Sequence, residues 1–312
     1  MTNLILGKAL MELSIIILNW NAADDTIRCV RQIDRWARLR PRIWVVDNAS
    51  RDTSLERITH ECPAISLVRN SANLGFAGGT NQGVSQALAE NDHPILLLNN
   101  DATIAEADAA HLLATLDADQ TIGLVGPLLF AAEDQDRLIS AGGKNPVLHH
   151  QTRRRHIDPA RPVHPVDVIS GTVILIRAEV FRQVGMLDEA YFFSTELADL
   201  CTRARQHGFR CVIDSRARAY HALERSADFR HGLHVYYIIR NRFLYIRKFY
   251  RHVMKGMLYG IWAGYGLALT LKLLITGQPI MARAAGLGSL DGLRGRFGDQ
   301  NERVLAALKM AS

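Results

Sequence analysis

The chain is poor in cysteine: Cys29, Cys62, Cys201 and Cys211 are the only four in 312 residues, and none forms a Cys-x-x-Cys pair. That usage excludes a thiolate zinc site and a disulfide framework, and leaves ordinary reduced core thiols. No Gly-Lys-Ser/Thr closes a Walker loop, and no Gly-x-Gly-x-x-Gly follows the first apolar run. Neither a P-loop nor the dinucleotide fingerprint is therefore present. No dense Lys/Arg block accompanies a nucleic-acid motif. The formal charge of +6 then points to a phosphorylated substrate or a membrane surface, not to nucleic acid. The short apolar run near the start is expected to be a strand and not a cleavable leader. Hydrophobic residues make up 48 %, enough for the core of one large domain or two small ones.

What is present centres on Asn73–Asp101. Ile95 to Leu98 is an apolar run suited to a strand buried on both faces, and it stops abruptly at Asn99, Asn100 and Asp101. Such a stop places hard oxygen ligands at the carboxyl edge of a parallel sheet, where open α/β sheets bind ligands. Oxygen ligands there suit Mg²⁺ or Mn²⁺ carrying a diphosphate, although the same tripeptide also serves as a plain polar turn. Upstream, Gly75, Gly78, Gly79 and Gly83 allow tight turns and close approach to a ligand, with Asn73 and Asn81 as hydrogen-bonding amides.

Around this stretch, apolar runs alternate with helical periodicity. Strands are predicted at Leu13–Leu18, Ile43–Val46, Ile65–Val68 and Gly123–Phe130. Helices are predicted near 22–37, ended by Pro41, and near 79–89 and 105–116. The alternation is that of a parallel sheet with helices on its faces. Asn19 and Asn21 follow the first strand. Asp47 ends the second, well placed for a ribose hydroxyl or a base N–H, or else for capping a helix. Residues 131–165 lose periodicity and read as a long lid or acceptor loop, with Arg153–Arg155 and four histidines, His149, His150, His156 and His164. Strands at 166–169, 173–176, 210–213 and 217–220 follow.

Nine short segments match, in order, a known pattern: Ser14–Asn21, Val45–Ser50, Asn73-x-Gly-Phe-Ala-x-Gly-x-Asn81, Leu98–Asp101, Ser170–Thr172, Gly185–Glu189, Tyr191–Glu196, Asp199–Cys201 and Tyr237-x-x-Arg-Asn-Arg242. This set resembles the inverting glycosyltransferases of family 2, in particular the bacterial rhamnosyltransferase-type enzymes. The resemblance spans roughly residues 11–250. It implies the GT-A fold: an α/β domain with a mostly parallel central sheet flanked by helices, here followed by C-terminal amphipathic helices. It implies a catalytic domain over 11–225, with a nucleotide half to about 130 and an acceptor half beyond, and a membrane-associating helical region over 226–312. It also implies a nucleotide-diphosphate sugar donor, with Asn19, Asn21, Asp47, Asn73, Gly75, Phe76, Gly79, Asn81, Asn99 and Asn100 around it. Asp101 and His221 would hold Mg²⁺ or Mn²⁺, and Gly171, Arg240 and Asn241 would face acceptor or phosphate.

One position departs from the pattern. The family's base is typically the Asp of a Glu-Asp pair, and here that position is Leu197, which cannot accept a proton. Glu196 or Asp199 takes over, or the register differs by a residue, or the activity is altered. A non-catalytic nucleotide-sugar-binding protein and a nucleotidyltransferase are the rival readings. Glu196 and Asp199, three apart, share a helix face, with Thr195 a possible N-cap; as acids at a helix start they also suit the dipole. The tail is aromatic and basic from His234 to His252, then apolar from Met257 to Ile275 with Lys272 interrupting. That interruption favours a helix lying in the membrane interface over one crossing it. Such a tail fits a cytoplasmic enzyme on the inner face of the cell membrane that acts on a saccharide or lipid-linked saccharide.

Overall fold

A computed structural model describes residues 11–149, 158, 160–222 and 228–309. Arg153–Arg155, His150 and His156, expected in the acceptor loop, lie outside the described residues. The elements run β1 (Met11–Asn19), α1 (Ala23–Ile33), β2 (Leu39–Asp47), α2 (Ser54–Glu61), β3 (Ser66–Arg69), α3 (Gly75–Glu90), β4 (Ile95–Leu98) and β5 (Ala102–Ile104). They continue with α4 (Glu106–Ala118), β6 (Ile122–Ala131), β7 (Leu138–Ser140), β8 (Val163–Pro165), β9 (Val173–Ile176), α5 (Ala178–Val184), α6 (Glu196–Gln206) and β10 (Arg210–His221). Four helices close the chain: α7 (Asp228–Phe249), α8 (His252–Ile275), α9 (Pro279–Arg294) and α10 (Asn301–Lys309).

The strands form one sheet in the order β3-β2-β1-β4-β9-β6-β10-β5. The β3-β2-β1-β4 block is parallel, and β9 enters antiparallel between β4 and β6. Alternation along β1 explains why both faces are covered. Ile15 and Ile17 pack with Ile27, Val30 and Ile33 of α1, whereas Ile16 packs with Val84 and Ala87 of α3. Asn19 and Asp47 are register partners at the ends of β1 and β2, so the parallel strands leave their polar ends along one edge.

The sheet is mixed and not mostly parallel, because β5, β7, β8 and β9 all pair antiparallel, and the strand expected at 166–169 lies instead at Val163–Pro165, leaving Val168 only an isolated bridge to Gly143. Local readings changed in three further places. The first helix ends at Ile33, and Pro41 lies within β2 opposite Leu13, in the stretch that β3 does not pair with, an edge position of the kind proline tolerates. The two strands expected over 210–220 are one strand, β10, irregular between Asp214 and Arg218. The glycine-rich segment is the first half of α3 and not a loop, because its glycines press the helix onto the sheet. A Cβ on Gly83 would stand 2.6 Å from Ile16 Cγ2, and one on Gly79 would stand 2.6 Å from Leu18 Cδ1.

Helices α7 and α9 pack against each other and against the 190–194 segment. Asp291 of α9, fully buried, accepts from Tyr236 of α7 at 2.7 Å and pairs with Arg303 of α10. Helix α8 is long and apolar enough to cross a membrane by length and composition alone. Only Leu258, Trp262 and Gly266 of it are buried. Met257, Ile261, Leu267, Leu271 and Leu274 are exposed, as are Leu290 and Leu293 of α9.

Candidate active site

The polar edge is built around a buried amide that sequence reasoning missed. Asn48 donates to Asn73 Oδ1 and Gly75 O and accepts from Asn70 Nδ2 and Leu74 N, each at 3.0 Å. It thereby pins the 70–75 turn beside Asp47; the Asp47-Asn48 pair at a strand end was the available signal. Asn73 Oδ1 also accepts from Gly75 N at 2.9 Å, where Gly75 takes φ +71°. Phe76 N donates to the carbonyl of Phe192 at 2.7 Å. The first amides of α3 are thus already partnered, and Asn73 and Gly75 shape the turn. The helix start is not an open phosphate cradle.

Several expected ligand-contacting residues prove to be supports. Asn19 is fully buried; its amide donates to Asp47 Oδ1 (2.9 Å) and Ser50 Oγ (3.1 Å) and accepts from Thr26 Oγ1 (2.8 Å). Asn19 therefore orients Asp47 from behind. Asn21, at φ 51°, braces the 50–51 turn by accepting from Arg51 N at 2.7 Å. Asn81 is buried and joins α3 to Leu187 and Glu189, donating at 2.9 and 3.0 Å. Asn100 donates to Thr26 at 3.0 Å. Gly79 packs on the sheet, as above. Asn81 and Gly79 are turned away from a ligand because α3 spends this face on the protein interior.

A cavity of about 910 Å³ opens beside this edge, with Phe76, Asn99, Gly171, Glu196, Leu197, and His221 among its walls. Antiparallel pairing of β10 with β5 sets His221 opposite Ala102, which brings its ring to Asp101. Asp101 Oδ1 lies 3.1 Å from His221 Nε2. The contact lacks hydrogen-bond geometry, and that oxygen is buried with no hydrogen-bond partner. An orphaned carboxylate oxygen beside an imidazole nitrogen fits the protein share of a divalent-cation site. No group of three or more His, Cys, Asp or Glu gathers among the described residues, so the remaining ligands would come from substrate and water.

The two acids of α6 separate cleanly. Asp199 is fully buried, takes hydrogen bonds from Arg203 Nε (2.6 Å) and Tyr191 OH (3.1 Å), and pairs with Lys248 of α7. It does not border the cavity and cannot reach an acceptor, so its expected catalytic role is withdrawn. Glu196 borders the cavity, is 6 % exposed, and has an Oε2 without a partner. Burial pushes its carboxyl from 4.5 up to about 7, with Asp199 adding to the rise. Leu197 packs over Gly171: a Cβ built there would stand 3.1 Å from Leu197 Cδ2. Leu197 belongs to the apolar core and closes the cavity floor with Phe76.

The segment before Glu196 is strained. Phe192, Ser194 and Thr195 hold φ of 61°, 69° and 77°, a left-handed region costly for residues with a Cβ. Thr195 makes no side-chain cap. Arg240 and Asn241, expected to face phosphate or acceptor, hold this segment instead. Both are fully buried. Asn241 Nδ2 donates to the carbonyls of Tyr191 (3.1 Å), Phe193 (2.8 Å) and Ser194 (2.6 Å). Arg240 donates to Tyr191 O (2.8 Å), Gly298 O (2.6 Å) and Asn241 Oδ1 (2.7 Å). Their donors are spent largely on backbone, so they position the segment that leads into the helix carrying Glu196 and have few donors left over for phosphate or acceptor.

Comparisons with known proteins agree with this architecture. A hexosyltransferase of low-salt glycan biosynthesis from Haloferax volcanii is 26 % identical over 92 % of each chain. An N-acetylglucosaminyl-diphospho-decaprenol L-rhamnosyltransferase of Mycobacterium tuberculosis is 26 % identical over 57 % of this chain and 66 % of its own. Among solved structures, a Pyrobaculum calidifontis mannosyltransferase in complex with GDP-mannose and Mn²⁺ superposes with a TM-score of 0.58 at 15 % identity, covering 91 % of this chain and 87 % of that one. Staphylococcus aureus TarS does so at 0.55 and 14 %, covering 92 % of each. The glycosyl transferase family 2 model matches residues 14–185. With that match over more than half its length and a sheet of this order, the chain belongs to glycosyltransferase family 2 and is a glycosyltransferase of the GT-A fold.

Proposed function

We propose that the protein transfers a hexose, with inversion, from a nucleotide-diphosphate donor to a saccharide carried on a lipid at the inner face of the cell membrane, in the synthesis of a cell-surface polysaccharide. A 6-deoxyhexose such as rhamnose is the version that the rhamnosyltransferase relatives favour. The observation that carries the reading is Glu196: a desolvated carboxyl with a free oxygen, on the same cavity as His221.

Asp47, oriented by Asn19 and Ser50, recognises the nucleoside. Asp101 and His221 would hold Mg²⁺ or Mn²⁺, which when bound would neutralise charge growing on the leaving diphosphate. Glu196 takes the proton of the acceptor hydroxyl. The acceptor oxygen then forms its bond to the anomeric carbon from the face opposite the donor phosphate, whose oxygen leaves with the bonding pair. The carboxyl's value near 7 balances these demands, since such a base is half ionised near neutrality yet strong enough to accept the proton. Phe76, Leu197 and Gly171 wall off water around the sugar. The exposed apolar side chains of α8 and α9 rest on the lipid surface.

The test is a transfer assay with a panel of nucleotide sugars and a lipid-extract acceptor, with and without Mn²⁺. Asp101→Asn should lower turnover by about a hundredfold or more while leaving the melting temperature near that of the wild type. Unchanged turnover would remove Asp101 from the mechanism.

A further inference from the structure

Arg240 and Arg242 stand two apart on α7, so they point to different sides of the helix. Arg240 is consumed by backbone carbonyls. Arg242 borders the cavity, half-buried, and its Nε donates to Pro146 O at 3.3 Å. Its guanidinium lies over the Trp262 ring of α8, 4.1 Å from the centroid, with Tyr265 at 6.0 Å. Among the described residues no carboxylate pairs with it, whereas Arg203, Arg205, Arg216 and Arg303 each meet an aspartate. Burial lowers its pKa from 12.5 to about 10, which still leaves it charged at neutral pH. A desolvated cation without a counter-ion is costly, and an anionic ligand offsets that cost. Lys144, exposed on the segment that supplies Pro146, borders the same cavity. Trp262 donates from Nε1 to Val147 O at 3.0 Å, which locks α8 to that segment.

We infer that Arg242, with Lys144 at the rim, is the subsite for the phosphate or diphosphate of a lipid-borne acceptor. The lipid chain leaves along the exposed apolar side of α8, whose inner side carries Trp262. Arg242 and His221 border one cavity, and the two anion sites differ in chemistry: a guanidinium here, a carboxylate and an imidazole suited to a cation at Asp101 and His221. Guanidinium suits it because it binds phosphate oxygens in pairs and stacks on an aromatic ring at the same time. The inference rests on the transferase reading above, and it names the handle by which that enzyme grips its acceptor.

The test uses the full-length protein in EDTA, so that the donor's cation site is silent. Binding of inorganic pyrophosphate and of farnesyl diphosphate is measured by calorimetry on wild type, Arg242→Met and Arg242→Gln. Methionine keeps an apolar stem against Trp262 without charge, and thermal melts check that both variants fold. The expected result is that both ligands bind wild type, farnesyl diphosphate at least tenfold more tightly, and that both variants lose at least tenfold for each. Unchanged affinity in the folded variants overturns the subsite. Equal affinity for the two ligands overturns the lipid assignment in favour of a free anion. Mn²⁺-dependent nucleotide-sugar binding is measured in parallel on wild type. Its absence would defeat the transferase reading while the pyrophosphate result still judged Arg242.

Discussion

Replacing Glu196 with glutamine should move activity and stability in opposite directions. The carboxyl sits in a desolvated wall, with Oε2 unpartnered and its pKa raised from 4.5 to about 7. That displacement corresponds to about 3 kcal/mol against folding once the group is ionised. The sign follows from linkage. Below pH 4.5 the acid is protonated in both folded and unfolded chains and costs nothing. Between 4.5 and about 7 the unfolded chain releases its proton first, so wild-type stability falls with pH, and it levels off above 7. Glutamine has nearly the same shape and no charge, so the variant should lack this decline. At pH 8 it should melt about 4–5 °C higher than wild type, given the unfolding entropy of a chain this long. Its turnover should fall by about 10²–10⁴, the usual contribution of a general base. Wild-type kcat should rise tenfold per pH unit up to about 7 and then flatten. The measurements are thermal melts and single-turnover sugar transfer from pH 5 to 9. A variant that melts lower at every pH would show that the carboxylate is a structural acceptor, and retained turnover would show that another group takes the proton.

Two further predictions concern the support around this acid and the lipid contact of α8. Asn241→Ala removes three bonds to the strained 191–194 carbonyls and strands Arg240, which should cost about 2–4 kcal/mol. Its kcat should drop while donor affinity, measured by calorimetry, stays within twofold; an unaltered kcat at lowered stability would deny it a positioning role. Leu267→Glu with Leu271→Glu, both on the exposed side of α8, should abolish co-sedimentation with anionic lipid vesicles and leave the melting temperature within about 1 °C, since neither side chain is buried. Continued sedimentation would place the lipid contact elsewhere.

The parts of the site that were legible in the sequence are those set by strand ends. A run of four apolar residues ending in Asn-Asn-Asp has few places to go other than a sheet's carboxyl edge, and Asp101 lies there beside His221. The glycines of α3 were misread because a residue without a side chain admits a ligand and a neighbouring strand equally well; only Ile16, Leu18 and Val46 across the gap decide it. Arg240 and Asn241 were misread for a related reason. Sequence shows a cation and an amide but not that the backbone carbonyls of Ala190, Tyr191, Phe193, Ser194 and Gly298 already claim their donors. Asp199 looked as eligible as Glu196 until Lys248, some fifty positions later, proved to face it. Arg242 was visible in the same tripeptide, yet its lack of a carboxylate partner depends on which helices surround it. Long-range partners of this kind have no periodicity to betray them.

Lys248 links the C-terminal helices to the interior of the sheet domain, since it meets both Asp188 and Asp199. A protease cut between β10 and α7, followed by loss of the tail, would leave those two carboxylates without their ammonium and the 191–194 carbonyls without their amide. The helices after residue 228 are thus an internal wall as much as an outer surface, and a shortened version of this enzyme would forfeit the scaffold that keeps Glu196 in place.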